Sequence, residues 1–109
     1  MDAELKKGTT PLLILSLLEH EARHGYDLAR LIESRSNGVL TTHAASLYPM
    51  LYKLEDSGWI EGRWIEKTGQ RRRRHYRITA AGRRVLAAQR ETWARFAIAI
   101  GEVAGVSYA

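Results

Sequence analysis

Four consecutive arginines, Arg71–Arg74, are the densest chemistry in this chain. A guanidinium keeps its charge at any physiological pH, and its planar fork donates hydrogen bonds in pairs. That suits phosphate oxygens and narrow minor grooves of DNA better than an ammonium does. Upstream, Ser46, Pro49, Tyr52 and Lys53 recur at a spacing that puts them on one side of a helix, with Tyr48 on its flank. Near the start of that helix the free backbone amides add a second preference for phosphate.

Other chemistry has little support. The chain has no cysteine, which removes disulfides, thiol catalysis and cysteine-based zinc sites together and fits a reducing compartment. His20 and His24 are four apart, but they straddle a break between two helices and lack the carboxylate of a zinc-protease motif, so no metal site is expected. Surface or capping roles suit them better. His75 alternates with Tyr76 and Arg77 along a strand, which makes it solvent-facing or close to DNA. No serine sits in a nucleophile elbow and no glycine-rich loop precedes a helix, so neither a catalytic residue nor a cofactor is expected.

The charge distribution points the same way as the arginines. The 109 residues carry 17 basic and 12 acidic side chains, a net of +5. Residues 60–84 hold nine basic and two acidic groups, a net of +7, whereas residues 1–59 sum to −2 and residues 85–109 to zero. A charge that served only solubility would be spread more evenly; a local block implies an anionic partner. The longest apolar stretch, Leu12–Leu18, is interrupted by Ser16 and far below the roughly 20 residues that span a bilayer. Asp2 and Glu4 spoil it as a secretion signal. A soluble, cytoplasmic protein is expected.

These residues need elements to position them. Thr9 and Thr10 before Pro11 mark a helix start, and Leu12–Leu18 make that helix apolar nearly all round, hence central. His24-Gly25 opens a second helix with Leu28, Leu31 and Ile32 on one face, stopped by Asn37-Gly38. Leu47, Met50, Leu51 and Leu54 give a third helix that ends at Gly58. Pro49 argues for Ser46 as its N-cap, which keeps the proline in the first turn. Two strands follow, Trp59–Ile65 and Arg74–Thr79, joined by a hairpin with a cationic tip. Thr79 can cap a fourth helix on which Leu86, Trp93, Phe96, Ile100 and Val103 lie almost in an a/d heptad, broken by Gln89. That helix outruns the small core and needs a partner.

Three helices followed by a basic hairpin is the order of a winged helix-turn-helix, in which the third helix enters the major groove and the wing lies along a neighbouring backbone. The expected fold is mainly α with a small β-hairpin: a DNA-binding unit over residues 1–79 and a C-terminal dimerisation helix over residues 80–109. Ser46, Tyr48, Pro49, Tyr52 and Lys53 are the candidate major-groove residues, and Arg71, Arg72, Arg73 and Arg74 the candidate phosphate or minor-groove anchors. A bare charge run is most often a solvated loop, but its coupling to a helix with a polar outward face favours double-stranded DNA. The alternative from another class is a protein–protein module whose basic hairpin grips an acidic partner. Trp93 and Phe96 suit dimer-core packing; with their symmetry mates they could also line a cleft that sandwiches a small flat aromatic effector.

In order and spacing the motifs resemble the PadR family of bacterial transcriptional regulators, in its short form with one C-terminal helix. The resemblance runs over roughly residues 5–100: Leu5-Lys6-Lys7-Gly8-Thr9, His24-Gly25-Tyr26, Ser46-Leu47-Tyr48-Pro49, Lys53-Leu54-Glu55, Gly58-Trp59-Ile60, Gly69, Arg71-Arg72-Arg73, Tyr76-Arg77-Ile78-Thr79 and Gly82. It implies a homodimer on an inverted-repeat operator, usually repressing, with Tyr48 and the wing touching DNA and, in some members, an aromatic effector. Ala45 stands where members often have glycine, and Trp59 where they often have leucine.

Overall fold

The computed structural model describes residues 3–4, 9–66, 69 and 73–106. Arg71 and Arg72 lie outside the described residues, as does the Leu5–Gly8 motif. In chain order the elements are β1 (Ala3–Glu4), α1 (Thr10–Leu17), β2 (Arg23–His24), α2 (Gly25–Arg35), β3 (Leu40–Thr41), α3 (Ala44–Asp56), β4 (Ile60–Ile65), β5 (Arg73–Ile78) and α4 (Ala80–Ala104). Three short helices and an antiparallel sheet β2-β5-β4 surround one core, while β1 pairs in parallel with β3.

The core follows the apolar pattern. Ile14, Leu15, Leu17 and Leu18 from α1 and the residue after it meet Leu28 and Ile32 of α2 and Leu47, Leu51 and Leu54 of α3. Ile60, Tyr76 and Ile78 close it from the sheet and Leu86 from α4. Thus α1 is buried on almost every side, as expected of an all-apolar helix.

The elements depart from the sequence-based expectation at the start of α3 and in the number of strands. Helix α3 begins at Ala44 behind His43, so Pro49 lies inside the helix rather than in its first turn. The missing amide deprives only the Ala45 carbonyl of a partner, and Ala45 is exposed, so water can satisfy it. The sheet also has a third strand. Two residues, Arg23 and His24, pair with Tyr76 and His75 of the wing; a strand this short has no alternation for a sequence to show.

Turn chemistry fixes how the wing leaves α3. Gly58, at φ 77°, takes the left-handed conformation that ends the helix, and the Trp59 amide reaches back to the Leu54 carbonyl at 3.0 Å. On the return, the Thr79 hydroxyl donates to the Gly58 carbonyl at 2.6 Å and accepts from the Gly82 amide at 3.0 Å. One threonine therefore caps α4 and ties it to the α3–wing turn. Helix α4 then runs out of the core, giving the molecule extents of 54 × 29 × 22 Å.

Candidate nucleic-acid interface

Because Leu47, Leu51 and Leu54 face inward, the opposite side of α3 is delivered to solvent. Ala45, Ser46, Pro49, Tyr52, Lys53 and Asp56 are all exposed. Tyr48 is half-buried on the flank, its ring packed so closely on Gly25 that a Cβ there would collide with it. The close approach explains the glycine at the start of α2, and it holds Tyr48 beside the wing rather than leaving it to swing.

A cleft of about 350 Å³ lies between the start of α2, α3 and the wing, lined by His24, Gly25, Tyr26, Tyr48, Tyr52, Trp64, Arg73, Arg74 and Tyr76. Arg73 and Arg74 point to different faces of β5, as neighbours on a strand must. Arg73 is exposed and its Nη1 stands 3.1 Å from His24 Nε2. Arg74 instead turns inward: its Nε and Nη2 donate to the two Glu55 oxygens at 3.2 and 2.7 Å, and its guanidinium lies over the Trp64 and Tyr76 rings. The arginine run, uniform in sequence, is divided in the structure into an exposed cation and an engaged one.

His24, for which the sequence suggests a surface or capping role, borders the cleft. Its Nδ1 accepts the Asp27 amide at 3.3 Å and so caps α2. Nε2 stands 3.1 Å from Asp27 Oδ2 as well as from the Arg73 guanidinium. Burial lowers the His24 pKa, with Arg73, His75 and Arg30 acting in the same direction and Asp27 against them. The shift favours the neutral ring at the junction of α2 and the wing. Burial likewise raises the Tyr76 phenol above its ordinary value, with the Glu55 carboxylate adding to the effect.

Away from this face, Trp93 and Phe96 are brought together on α4 as an edge-to-face pair, centroids 5.3 Å apart. With Val85, Ala88, Gln89 and Thr92 they line an open groove of about 530 Å³, in which the Gln89 Oε1 is buried without a partner among the described residues. All six lining residues come from the one helix. Among the described residues no group of three metal-ligating side chains occurs, and no helix is long and apolar enough to cross a membrane.

Solved structures share the fold. The structure of smu.1704 from Streptococcus mutans superposes with a TM-score of 0.82 at 27% identity, over 100% of both chains. A transcriptional regulator from Clostridium thermocellum gives 0.80 at 28% identity, over 88% of this chain and 93% of that one. A PadR family regulator from Eggerthella lenta gives 0.79 at 28% identity, over 93% and 86%. An uncharacterised protein of Lysinibacillus sphaericus is 28% identical over 84% of each chain. The model of the transcriptional regulator PadR-like family matches residues 14–88, from the core of α1 through the wing to the first turns of α4. With the winged helix and the C-terminal helix both in place, this chain belongs to the PadR-like family of DNA-binding transcriptional regulators, which are not enzymes.

Proposed function

We propose that the protein is a dimeric repressor that reads an inverted-repeat operator and is relieved by a small aromatic effector. The observation that carries this reading is the exposed polar face of α3 beside a wing strand that presents Arg73. Ser46, Tyr48, Pro49, Tyr52 and Lys53 enter the major groove, and Arg73, with Arg71 and Arg72 inferred from sequence alone, holds phosphate or the adjacent minor groove. Residues 1–79 supply the DNA-binding unit and residues 80–109 the dimer contact. Two-fold symmetry places the two recognition helices about 34–36 Å apart, one turn of DNA.

The distal half of α4 supports dimerisation. Phe96, Ile98, Ile100 and Val103 are exposed, Val103 at 91%, and a lone helix gains nothing by showing four large apolar side chains to water. A second copy covers them and turns the Trp93–Phe96 groove into an enclosed cleft suited to a flat apolar ligand.

The deciding experiment selects bound sequences from a random duplex library and then measures affinity across a salt series. An inverted repeat is expected, with log affinity falling by about 0.9 per phosphate contact against log salt. Replacing Arg72 and Arg73 by alanine should weaken binding on every sequence and flatten that slope; an unchanged slope removes the wing from the interface.

A further inference from the structure

We propose that Glu55 and Arg74 act as a strut that sets the angle of the wing against α3, and that Arg74 serves DNA binding through Glu55 instead of through a phosphate. The proposal rests on the DNA-binding reading above and adds what fixes the relative position of its two contacting elements.

The geometry of the hairpin makes the case. On its inner face the rungs run outward from the root as Ile60 with Ile78, Gly62 with Tyr76, and Trp64 with Arg74. The first two pairs are anchored by the core, in which Ile60, Tyr76 and Ile78 are buried. At the third rung a charged residue, Arg74, takes over. Arg74 folds back along the face toward the root, over Gly62, where a Cβ would strike its guanidinium. The side chain thereby reaches Glu55 in the last turns of α3, bonding both carboxylate oxygens at once. Trp64 and Tyr76 flank the plane at 5.4 and 5.9 Å from the ring centroids.

Three consequences follow from this arrangement. A two-pronged bond between planar groups fixes direction as well as distance, which a single ionic contact does not. With only 25% of its side chain exposed, Arg74 would have to abandon Glu55 to meet a phosphate, leaving a bare carboxylate on the recognition helix. And Gly62 acquires a reason: it is the gap through which the strut passes. Arg74 and Glu55 are positioning residues, and the hand-off from recognition helix to wing is the property they control.

The two roles predict opposite signs for one substitution. Glu55→Gln removes a negative charge beside DNA and frees Arg74. If Arg74 were a phosphate contact, operator affinity would hold or rise. If the pair is a strut, operator affinity falls by roughly 2- to 30-fold, while affinity for a random duplex does not fall. Arg74→Gln should give a similar operator loss with an unchanged salt slope, and the double variant should be no worse than Arg74→Gln alone. Arg74→Lys guards against misfolding as the explanation: it keeps the charge but cannot bridge both oxygens, so it should also lose operator affinity.

Anisotropy titrations on the selected operator and a random duplex, at temperatures below each protein's melting transition, read the four variants beside the wild type. Retained or increased operator affinity in Glu55→Gln, full affinity in Arg74→Lys, or a slope reduced by about 0.9 in Arg74→Gln would each overturn the strut. An equal loss on operator and random DNA overturns it too, since that marks a general structural defect. A wild-type protein that selects no sequence overturns the DNA reading itself, a result distinct from all of these.

Discussion

The two halves of α4 lie in one continuous helix and obey different physics. Its first turns are locked to the rest of the molecule. Gly82 sits so close to the Trp59 carbonyl and the Ile78 side chain that no larger residue fits, and Leu86 is in the core. Arg90 then clasps both oxygens of Glu19 at 2.9 and 2.8 Å and reaches the Ser16 hydroxyl at 3.3 Å, fastening α4 to α1. Beyond Arg90 the helix carries apolar side chains of the same kind, and among the described residues Phe96, Ile98, Ile100 and Val103 stay exposed. The last intramolecular clamp marks where α4 stops completing the fold of its own chain and where the proposed assembly surface begins.

The largest effects should come from attacking the uncovered half. Phe96→Asp combined with Ile100→Asp places charges where the second copy is proposed to pack, so light scattering should show the monomer mass. Operator affinity should fall on the order of 10²- to 10⁴-fold, because each half-site would then be bound alone. A dimer that persists would move the assembly surface elsewhere.

The anchored half should respond through folding instead. Leu51, fully buried, faces the α1 and α2 side chains, and Leu51→Ala should cost about 2–5 kcal/mol in chemical denaturation. If the core belongs to the protomer, that loss should be the same in the Phe96→Asp/Ile100→Asp background, whose melting as a monomer should not vary with protein concentration, whereas that of the dimeric Leu51→Ala protein should. Equal concentration dependence for both would erase the distinction between the halves.

Much of the geometry of α3 and the wing was legible in the residues. The apolar spacing of Leu47, Leu51 and Leu54 fixed which face of α3 is outward, and the wing followed from alternation and charge. Three features were not legible, each for a physical reason. The start of α3 was misplaced because the cost of an internal proline depends on whether the orphaned carbonyl meets water, and the exposure of Ala45 is a tertiary fact. Strand β2 has two residues, too few for any period. The fate of Arg74 depends on Gly62 and Glu55, distant in sequence, whereas the run Arg71–Arg74 reads as four equivalent cations.

Gly62→Ala probes the anchored region more gently. The added methyl would meet the Arg74 guanidinium, whose flexible stem can give way, so the fold should survive with a loss of about 1–3 kcal/mol. Denaturant melts measure that loss; no change at all would mean Arg74 does not rest over Gly62 in solution.

The smallest effect is a pH dependence that arises only in the anchored region. His24 caps α2 through an unprotonated Nδ1, and its pKa in the fold lies below the ordinary value of 6.5. Folding therefore disfavours the protonated ring. Its contribution is complete above the unfolded pKa and is lost as pH falls from about 6.5 through the lower folded value. Melting temperatures should decline over that window in the wild type. His24→Asn keeps a capping oxygen and has no proton to gain, so its decline should be shallower, with only the carboxylates left to titrate further down. Glu19, its pKa lowered chiefly by the Arg90 hydrogen bond, belongs to that lower range: its contribution is present above 4.5 and lost below. An identical decline in wild type and His24→Asn between pH 7 and 5.5 would show that the α2 cap does not titrate.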